Sequence, residues 1–357
     1  MTSLSPIVDG RSIVVCTGTG GVGKTTTAAV VGMEAARRGR RAVVVTIDPA
    51  KRLADTLGLA ALGDEPSEIK GDWPGELWAL MLDTKSTFDN LVVRHAGDPE
   101  QAERILANRF YRNISGALSG TQEYMAAEKL HELHESERFD VVVVDTPPTR
   151  HALDFLDAPR RLTAFLDHRL YRALVAPTRV YLRAMNVAAQ AFLRTVGRVV
   201  GAEALEDGLA FFSAFEGMEQ GFRDRAARVQ ALLTDKETAY VLVASPRADT
   251  VAEASYFADR LESSGVPVAA LVVNRMHPRF GAGSGKDARR RVEQLAGTPL
   301  AGLAANLADF RTMADGEERH LVDLTARLAP APVVRVPFLA HDVHDLDTLA
   351  EIGSYLF

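Results

Sequence analysis

The chain has 357 residues, with 41 lysines and arginines against 47 aspartates and glutamates, which gives a formal net charge of −6 at pH 7. This balance excludes an overall positive field, so nucleic acid is not expected as a partner. The single cysteine, Cys16, excludes a disulfide framework and a Cys-x-x-Cys zinc site.

The opening residues, MTSLSPIVDGR, lack an apolar core of signal-peptide length. No later run reaches the roughly 20 apolar residues that a membrane span requires. Together with the single cysteine, these features predict a cytoplasmic protein.

Short β-branched runs alternate with longer helical patterns, which is typical of parallel strands joined by crossover helices. The predicted strands are 12–16, 42–47, 77–82, 141–144, 240–244, 268–273 and 333–336. They indicate an α/β fold with one doubly wound, mostly parallel sheet. Ligands of such sheets bind beyond the carboxyl ends of the strands, where several polar loops follow in this sequence.

The alternation stops between residues 154 and 235, where Leu, Ala, Phe and Arg recur at helical spacing without a convincing strand. This interval predicts an inserted helical subdomain. A stripe of apolar residues from Leu182 to Val199 serves either core packing or a partner helix. The predicted division is a nucleotide-binding core of residues 1–86, 138–153 and 236–357, and a helical subdomain of residues 87–137 and 154–235.

The run GTGGVGKTTT, from Gly18 to Thr27, follows the first predicted strand and fits the phosphate-loop pattern G-x-x-x-x-G-K-[ST]. In such a loop, backbone N–H groups close around phosphate oxygens at the start of a helix. The loop positions concerned are Gly20, Gly21, Val22 and Gly23. Lys24 adds positive charge at the β and γ phosphates, and Thr25 offers a hydroxyl to Mg²⁺. The sequence therefore predicts nucleotide binding with Mg²⁺.

Two aspartates directly follow predicted strands. Asp145 ends a run of four valines, where its carboxylate either holds Mg²⁺ through water or caps a turn or helix. Asp48 either orients and deprotonates the water that attacks the γ phosphate, or is a turn aspartate before Pro49. Both functional alternatives predict a nucleotide-hydrolysing site.

Asn274 begins the run Asn-Arg-Met-His after another predicted strand. Guanine recognition usually needs a carboxylate, as in an Asn-Lys-x-Asp loop, and no acid stands at the fourth position here. The amide of Asn274 can serve adenine, which favours ATP over GTP. The alternative is an asparagine that caps the end of a strand.

These motifs resemble those of the arsenical pump-driving and tail-anchored-protein targeting ATPases, which have a deviant phosphate loop within the SIMIBI class of NTPases. The family motifs GKGGVGKTT, TDPAH-x-LSDAF and DTAPTGHTLR correspond to GTGGVGKTT, IDPAKRLADTL and DTPPTRHALDF in this chain. The resemblance implies phosphate and Mg²⁺ contacts at Lys24, Thr25 and Thr26, water activation at Asp48, the switch II acid at Asp145, and adenine contacts at Asn274, Pro337 and Phe338.

The chain also departs from the family motifs. Thr19 stands where the family has a lysine that reaches into the partner subunit, Arg150 replaces a glycine, and Asp154 replaces an arginine. One hypothesis is that the catalytic cation has moved to Arg150, with Lys51 and Arg52 as further candidates. The alternative is a solvent-facing Arg150 that pairs with Asp154.

The motifs together favour an ATP-hydrolysing switch that couples the nucleotide state to the helical subdomain. The resemblance implies a homodimer, or a heteromer with a related ATPase, that handles a protein or membrane client. The missing cysteine triad argues against arsenite, and the missing Cys-x-x-Cys argues against an intersubunit zinc. The rival hypothesis is a nucleotide-binding regulatory subunit with little or no ATPase activity. A membrane-bound partitioning ATPase is less favoured, because the final residues LAEIGSYLF are too few for an amphipathic membrane helix.

Overall fold

The computed structural model of the chain describes residues 3–48, 52–114, 121–147, 154–168 and 202–357. The described residues form two compact units. One unit contains those within Met1–Met81, Leu133–Leu153 and Lys236–Phe357, and it holds the sheet. The other, here called the helical unit, contains those within Leu82–Glu132 and Asp154–Asp235.

The sheet has eight strands in the described part of the chain. They are β1 (Ile13–Gly18), β2 (Arg41–Thr46), β3 (Ser67–Ile69), β4 (Glu76–Met81), β5 (Val141–Asp145), β6 (Thr238–Ala244), β7 (Val268–Met276) and β8 (Val333–Pro337). Their order is β3-β4-β2-β5-β1-β6-β7-β8, and only the β3–β4 pair is antiparallel among them. The α/β class with a mostly parallel, doubly wound sheet is confirmed.

The sequence-based set of seven strands was one short. The missing strand, β3, is a three-residue edge strand of sequence Ser-Glu-Ile, of which only Ile69 is buried. Such a segment carries neither a β-branched run nor an alternating pattern, so composition gives no signal for it. Antiparallel pairing to β4 supplies the structure that the local sequence does not indicate.

The central strands explain why the sheet is parallel and buried. All residues of β1, β5 and β6 are buried, as expected for strands covered by helices on both faces. β1 lies between β5 and β6, and β5 also pairs with β2. In this register Asp145 lies opposite both Cys16 of β1 and Thr46 of β2. The carboxyl ends of β2, β5 and β1 are therefore side by side.

Helices complete both units. In the described residues they are α1 (Ser5–Gly10), α2 (Lys24–Arg37), α3 (Arg52–Thr56), α4 (Thr84–His95), α5 (Pro99–Ala107), α6 (Arg109–Ile114), α7 (Thr121–Glu135), α8 (Asp154–Asp167), α9 (Ala202–Ala214), α10 (Glu219–Thr234), α11 (Ala248–Ser263), α12 (Gly285–Gln294), α13 (Ala301–Leu328) and α14 (Leu346–Leu356). None of the helices among these residues combines the length and the apolar character that a membrane span would need.

Helix α2 packs closely on the sheet directly after β1. A Cβ atom at Gly32 would lie 2.4 Å from Cγ2 of Val44, so glycine permits this close approach of helix and strand. The residues around it, from Ala28 to Val31, are fully or almost fully buried. This packing fixes the start of α2, and hence Lys24, at the carboxyl edge of the sheet.

The helical unit has its own core, which is rich in aromatic residues. Phe211 and Phe215 contact each other as a tilted pair with ring centroids 4.6 Å apart, and the ring of the buried Tyr111 stacks on Phe211 at 6.0 Å. The unit also contains a buried ion pair: Arg225 contacts Glu128 at 2.7 Å, and both side chains are almost completely buried. This cluster of buried residues is distinct from the one that packs on the sheet. The apolar stripe from Leu182 to Val199 lies outside the described residues.

Candidate functional site

The loop that follows β1 connects Gly18 to Lys24, the first residue of α2. Gly21 and Gly23 adopt positive φ angles of 75° and 99°, which favour glycine. A Cβ atom at Gly23 would also lie 2.2 Å from Nδ2 of Asn274. Glycine is thus required at position 23 both by the backbone and by the neighbouring side chain.

Lys24 is buried at the start of α2, with only 5% of its surface exposed. Its Nζ donates a hydrogen bond to the carbonyl oxygen of Thr19 at 2.7 Å. Burial lowers the pKa of Lys24, while the negative charges of Asp145 and Asp48 oppose that shift. The ammonium is therefore held inside the loop with two carboxylates near it.

Thr25 and Asp145 are in direct contact across α2 and β5. Thr25 Oγ1 donates to Asp145 Oδ2 at 2.8 Å, and Thr46 Oγ1 donates to the same oxygen at 3.1 Å. Burial raises the pKa of Asp145 to about 6, opposed by the Thr25 hydroxyl and the charge of Lys24. The other carboxylate oxygen, Oδ1, is buried and has no hydrogen-bond partner among the described residues.

This pair has the chemistry that Mg²⁺ requires. A carboxylate and a hydroxyl are hard oxygen donors, which Mg²⁺ prefers, and it commonly binds through one or two carboxylates plus waters and phosphate oxygens. The unsatisfied Oδ1 of Asp145 is a buried acceptor beside the hydroxyl of Thr25. The residues present therefore fit a magnesium site.

Asp48 lies just beyond β2 and is 9% exposed. Its backbone N–H donates to Thr46 Oγ1 at 3.2 Å, and its carboxylate lies 3.8 Å from the guanidinium of Arg52. Thr46 thus contacts both Asp145 and Asp48, a connection that sequence reasoning missed. The available signal was its place as the last residue of β2, two positions before Asp48. Arg150 and Lys51 lie outside the described residues.

Thr19 contributes no positive charge to the loop. The residue is 5% exposed, and its hydroxyl is buried without a hydrogen-bond partner in the described ranges. Its carbonyl oxygen accepts the hydrogen bond from Lys24. Thr19 therefore offers the phosphate loop oxygen atoms and no cation.

A second group of residues lies at the ends of β7 and β8. Asn274 Nδ2 donates to the carbonyl oxygen of Val22 at 2.9 Å, which ties this group to the phosphate loop. The next residue, Arg275, has a φ of 64°, an uncommon left-handed conformation for a residue with a side chain. Pro337 pairs with Met276 in the sheet, and the N–H of Phe338 donates to the Met276 carbonyl at 2.8 Å. The structure thus brings Asn274, Pro337 and Phe338 together.

Sequence reasoning missed two residues of this group. The ring of His277 is parallel to that of Phe338, with an interplanar angle of 3° and centroids 6.0 Å apart. Glu317, on α13, accepts hydrogen bonds from the backbone N–H and from Nδ1 of His277, at 2.9 and 2.5 Å. His277 is the last residue of the run Asn-Arg-Met-His that begins at Asn274. Glu317 is remote in sequence, and no motif there indicates a role in this site.

A doubly wound sheet with a phosphate loop between a central strand and the next helix defines a P-loop nucleotide hydrolase. The anion-transporting ATPase family matches residues 11–295 of the chain. The chain belongs to this family, and it is an ATPase. The match includes the phosphate loop, Asp48, Asp145 and Asn274, and it ends before Phe338.

Individual relatives match over most of the chain. The "ATPase GET3" of Malassezia globosa is 26% identical over 99% of this chain and 94% of its own length. The "Putative arsenical pump-driving ATPase 1" of Aquifex aeolicus is 23% identical over 97% of this chain and 78% of its own length. The "ATPase GET3B" of Arabidopsis thaliana is 26% identical over 88% of this chain and 75% of its own length. The resemblance that the motifs indicate is confirmed.

Replacing Gly23 by alanine is expected to weaken ATP binding at least about tenfold, because the new Cβ would strain the backbone and displace the amide of Asn274. Isothermal titration with ATP and Mg²⁺ measures this change. Gly63→Ala is the matched control, since no atom lies within 4 Å of a Cβ built there. Equal affinities in the two variants would show that position 23 tolerates a side chain.

Proposed function

We propose that the protein is a Mg²⁺-dependent ATP-hydrolysing switch whose nucleotide state controls the helical unit. The observation that supports this most strongly is the contact of Thr25 with Asp145 next to the buried ammonium of Lys24. A hydroxyl, a carboxylate and a lysine in this arrangement are the recurring parts of P-loop phosphoryl transfer. The residues between Asp145 and Asp154 connect this site directly to the first residue of α8.

In the proposed binding mode, the phosphates lie in the loop after β1. The backbone N–H groups of the loop donate to phosphate oxygens. They belong to Gly20, Gly21, Val22 and Gly23. Lys24 neutralises charge at the β and γ phosphates, and the N-terminal turn of α2 adds Thr25 and Thr26. Thr25 and Asp145 would hold Mg²⁺, which neutralises the charge that develops on the transferred phosphoryl group.

Asp48 is the proposed general base. Its carboxylate accepts a proton from the water that attacks the γ phosphate. The Thr46 hydroxyl accepts a hydrogen bond from the Asp48 N–H and donates one to Asp145, so it holds the base in a fixed relation to the proposed magnesium ligand. Asn274, Pro337 and Phe338 are the proposed contacts of adenine.

The Mg²⁺-dependence of phosphate release tests this proposal. The purified protein is expected to release phosphate from ATP with Mg²⁺, and chelation by EDTA is expected to stop the reaction. Thr25→Ala should raise the Mg²⁺ concentration for half-maximal rate at least about tenfold, because one oxygen donor is lost. Thr325→Ala, on α13, is the matched control. Negligible release with Mg²⁺ would instead favour the regulatory subunit with little turnover.

We propose that Arg150 supplies the cation that Thr19 lacks. Phosphoryl transfer gains greatly from positive charge near the β and γ phosphates, and Arg150 follows Asp145 closely in switch II. Arg52 is the rival candidate within the described residues, because it lies 3.8 Å from Asp48. Asp154, the alternative partner of Arg150, lies 3.6 Å from Arg161.

Arg150→Ala is expected to lower turnover at least about tenfold and to spare ATP affinity, because its charge acts in the transition state. Thr19→Lys in that background should restore part of the rate. Steady-state phosphate release and equilibrium ATP binding measure the two effects. A parental rate in Arg150→Ala would contradict the hypothesis, and a loss in Arg52→Ala alone would assign the role to Arg52.

The relatives are named for arsenical pump driving and for GET3, and these names suggest partners for this chain only as hypotheses. Cys16, its one cysteine, is buried in β1, and burial raises the pKa of its thiol, so it is poorly suited to arsenite. We propose instead a protein or membrane client that binds the helical unit. The proposed assembly is a homodimer, or a heteromer with a related ATPase, in the cytoplasm.

A further inference from the structure

The rings of His277 and Phe338 form a flat aromatic pair beside Asn274. Their planes are parallel within 3°, and the centroid separation of 6.0 Å lies within the range of aromatic pair contacts. Phe338 is 59% exposed. The His277 ring thus lies beside and parallel to the Phe338 ring, and much of Phe338 is accessible to a ligand.

The position of His277 is set by Glu317. Both carboxylate oxygens of Glu317 are used on this one residue, one by the backbone N–H and one by Nδ1 of the ring. Glu317 is only 9% exposed on the long helix α13, so its own position is fixed by packing. A carboxylate that accepts hydrogen bonds from both the main chain and the ring leaves the imidazole little rotational freedom.

The backbones of the two aromatic residues are also joined. The N–H of Phe338 donates to the carbonyl of Met276, the residue before His277. Two residues before Met276, the side chain of Asn274 donates a hydrogen bond to the carbonyl oxygen of Val22 in the phosphate loop. The exposed part of Phe338 is consequently held in a fixed relation to the proposed phosphate site.

We infer that Glu317 and His277 are positioning residues for Phe338, whose ring is a stacking surface for the purine base of the nucleotide. This inference rests on the proposed function, in which Asn274 and Phe338 contact adenine. Base stacking on an aromatic ring contributes substantially to nucleotide affinity. That contribution depends on a ring whose orientation is set before the ligand binds.

Two probes separate an effect on the base from an effect on the phosphates: ATP, and inorganic tripolyphosphate, which has no base. With Mg²⁺ present, His277→Ala is expected to weaken ATP binding about fivefold or more and to leave tripolyphosphate binding unchanged. His277→Phe should weaken ATP binding less than His277→Ala, because a flat ring is retained although the hydrogen bond from Nδ1 to Glu317 is lost. The matched control is His344→Ala, which removes an exposed histidine six residues after Phe338.

A double-mutant cycle tests whether His277 acts through Phe338. In a Phe338→Ala background, His277→Ala should cause no further loss of ATP affinity. Glu317→Gln should weaken ATP binding less than His277→Ala, since the amide oxygen still accepts one of the two hydrogen bonds.

Several results would overturn the inference: native ATP affinity in His277→Ala, equal losses for ATP and tripolyphosphate, or additive losses in the double variant. Failure of the native protein to bind ATP would instead refute the proposed function on which the inference rests.

Discussion

Lys24→Ala is expected to weaken ATP binding on the order of a thousandfold, which is about 4 kcal/mol. The ammonium is almost completely buried and is already held at the loop by the carbonyl of Thr19. Without it, the phosphate loop would have only backbone dipoles, the threonine hydroxyls and Mg²⁺ to stabilise the phosphate charge. Isothermal titration with ATP and Mg²⁺ measures the loss.

The control for this variant is Lys70→Ala, which removes an exposed lysine from the same unit. Thermal unfolding of both variants checks that they remain folded. Burial already disfavours the charged form of Lys24, so its removal is not expected to unfold the protein. Native ATP affinity in Lys24→Ala would show that the phosphates bind elsewhere.

Asp48→Asn is expected to retain ATP and to lower the hydrolysis rate about a thousandfold, within the range for loss of a general base. An amide has nearly the shape of the carboxylate and can still orient water, but it does not accept the proton. The backbone N–H of Asp48 keeps its hydrogen bond to Thr46, so the local structure should persist. Single-turnover phosphate release with saturating ATP isolates the chemical step.

Asp72→Asn removes an exposed carboxylate from the same unit and serves as the control. Turnover close to the native rate in Asp48→Asn would assign proton transfer to another group. Loss of ATP binding in this variant would instead mean that Asp48 supports the loop or the metal site.

The central sheet was predictable because its strands have a strong local signal. Four valines before Asp145 and the apolar run before Gly18 indicate fully buried parallel strands without reference to the rest of the chain. The phosphate loop was predictable for a different reason: its glycine, lysine and threonine spacing follows from the geometry of phosphate binding. The local sequence was therefore sufficient to predict the fold class and the phosphate-binding part of the site.

The other parts depend on contacts with a second segment of the chain and not on a local pattern. The edge strand β3 depends on pairing with β4. The hydrogen bonds between Glu317 and His277 join α13 to the end of β7. Neither position shows a pattern of its own. Thr46 is an intermediate case, because its place at a strand end is visible but its link between Asp48 and Asp145 requires the register of β2 and β5.

The departures at Thr19 and Arg150 show the limit of motif comparison. In the structure, the Thr19 carbonyl accepts the hydrogen bond from Lys24, and the Thr19 hydroxyl is buried. The role of Arg150 as a replacement cation stays a prediction from the sequence.

The switch proposal joins nucleotide chemistry to a change in the helical unit, and hydrogen exchange tests that link most directly. Asp48→Asn is loaded with ATP and Mg²⁺ or with ADP and Mg²⁺, and amide exchange is compared between the two states. The expected result is different protection within Leu82–Glu132 or Asp154–Asp235 between the two states. Protection of the phosphate loop in both states, with identical exchange throughout the helical unit, would contradict the switch.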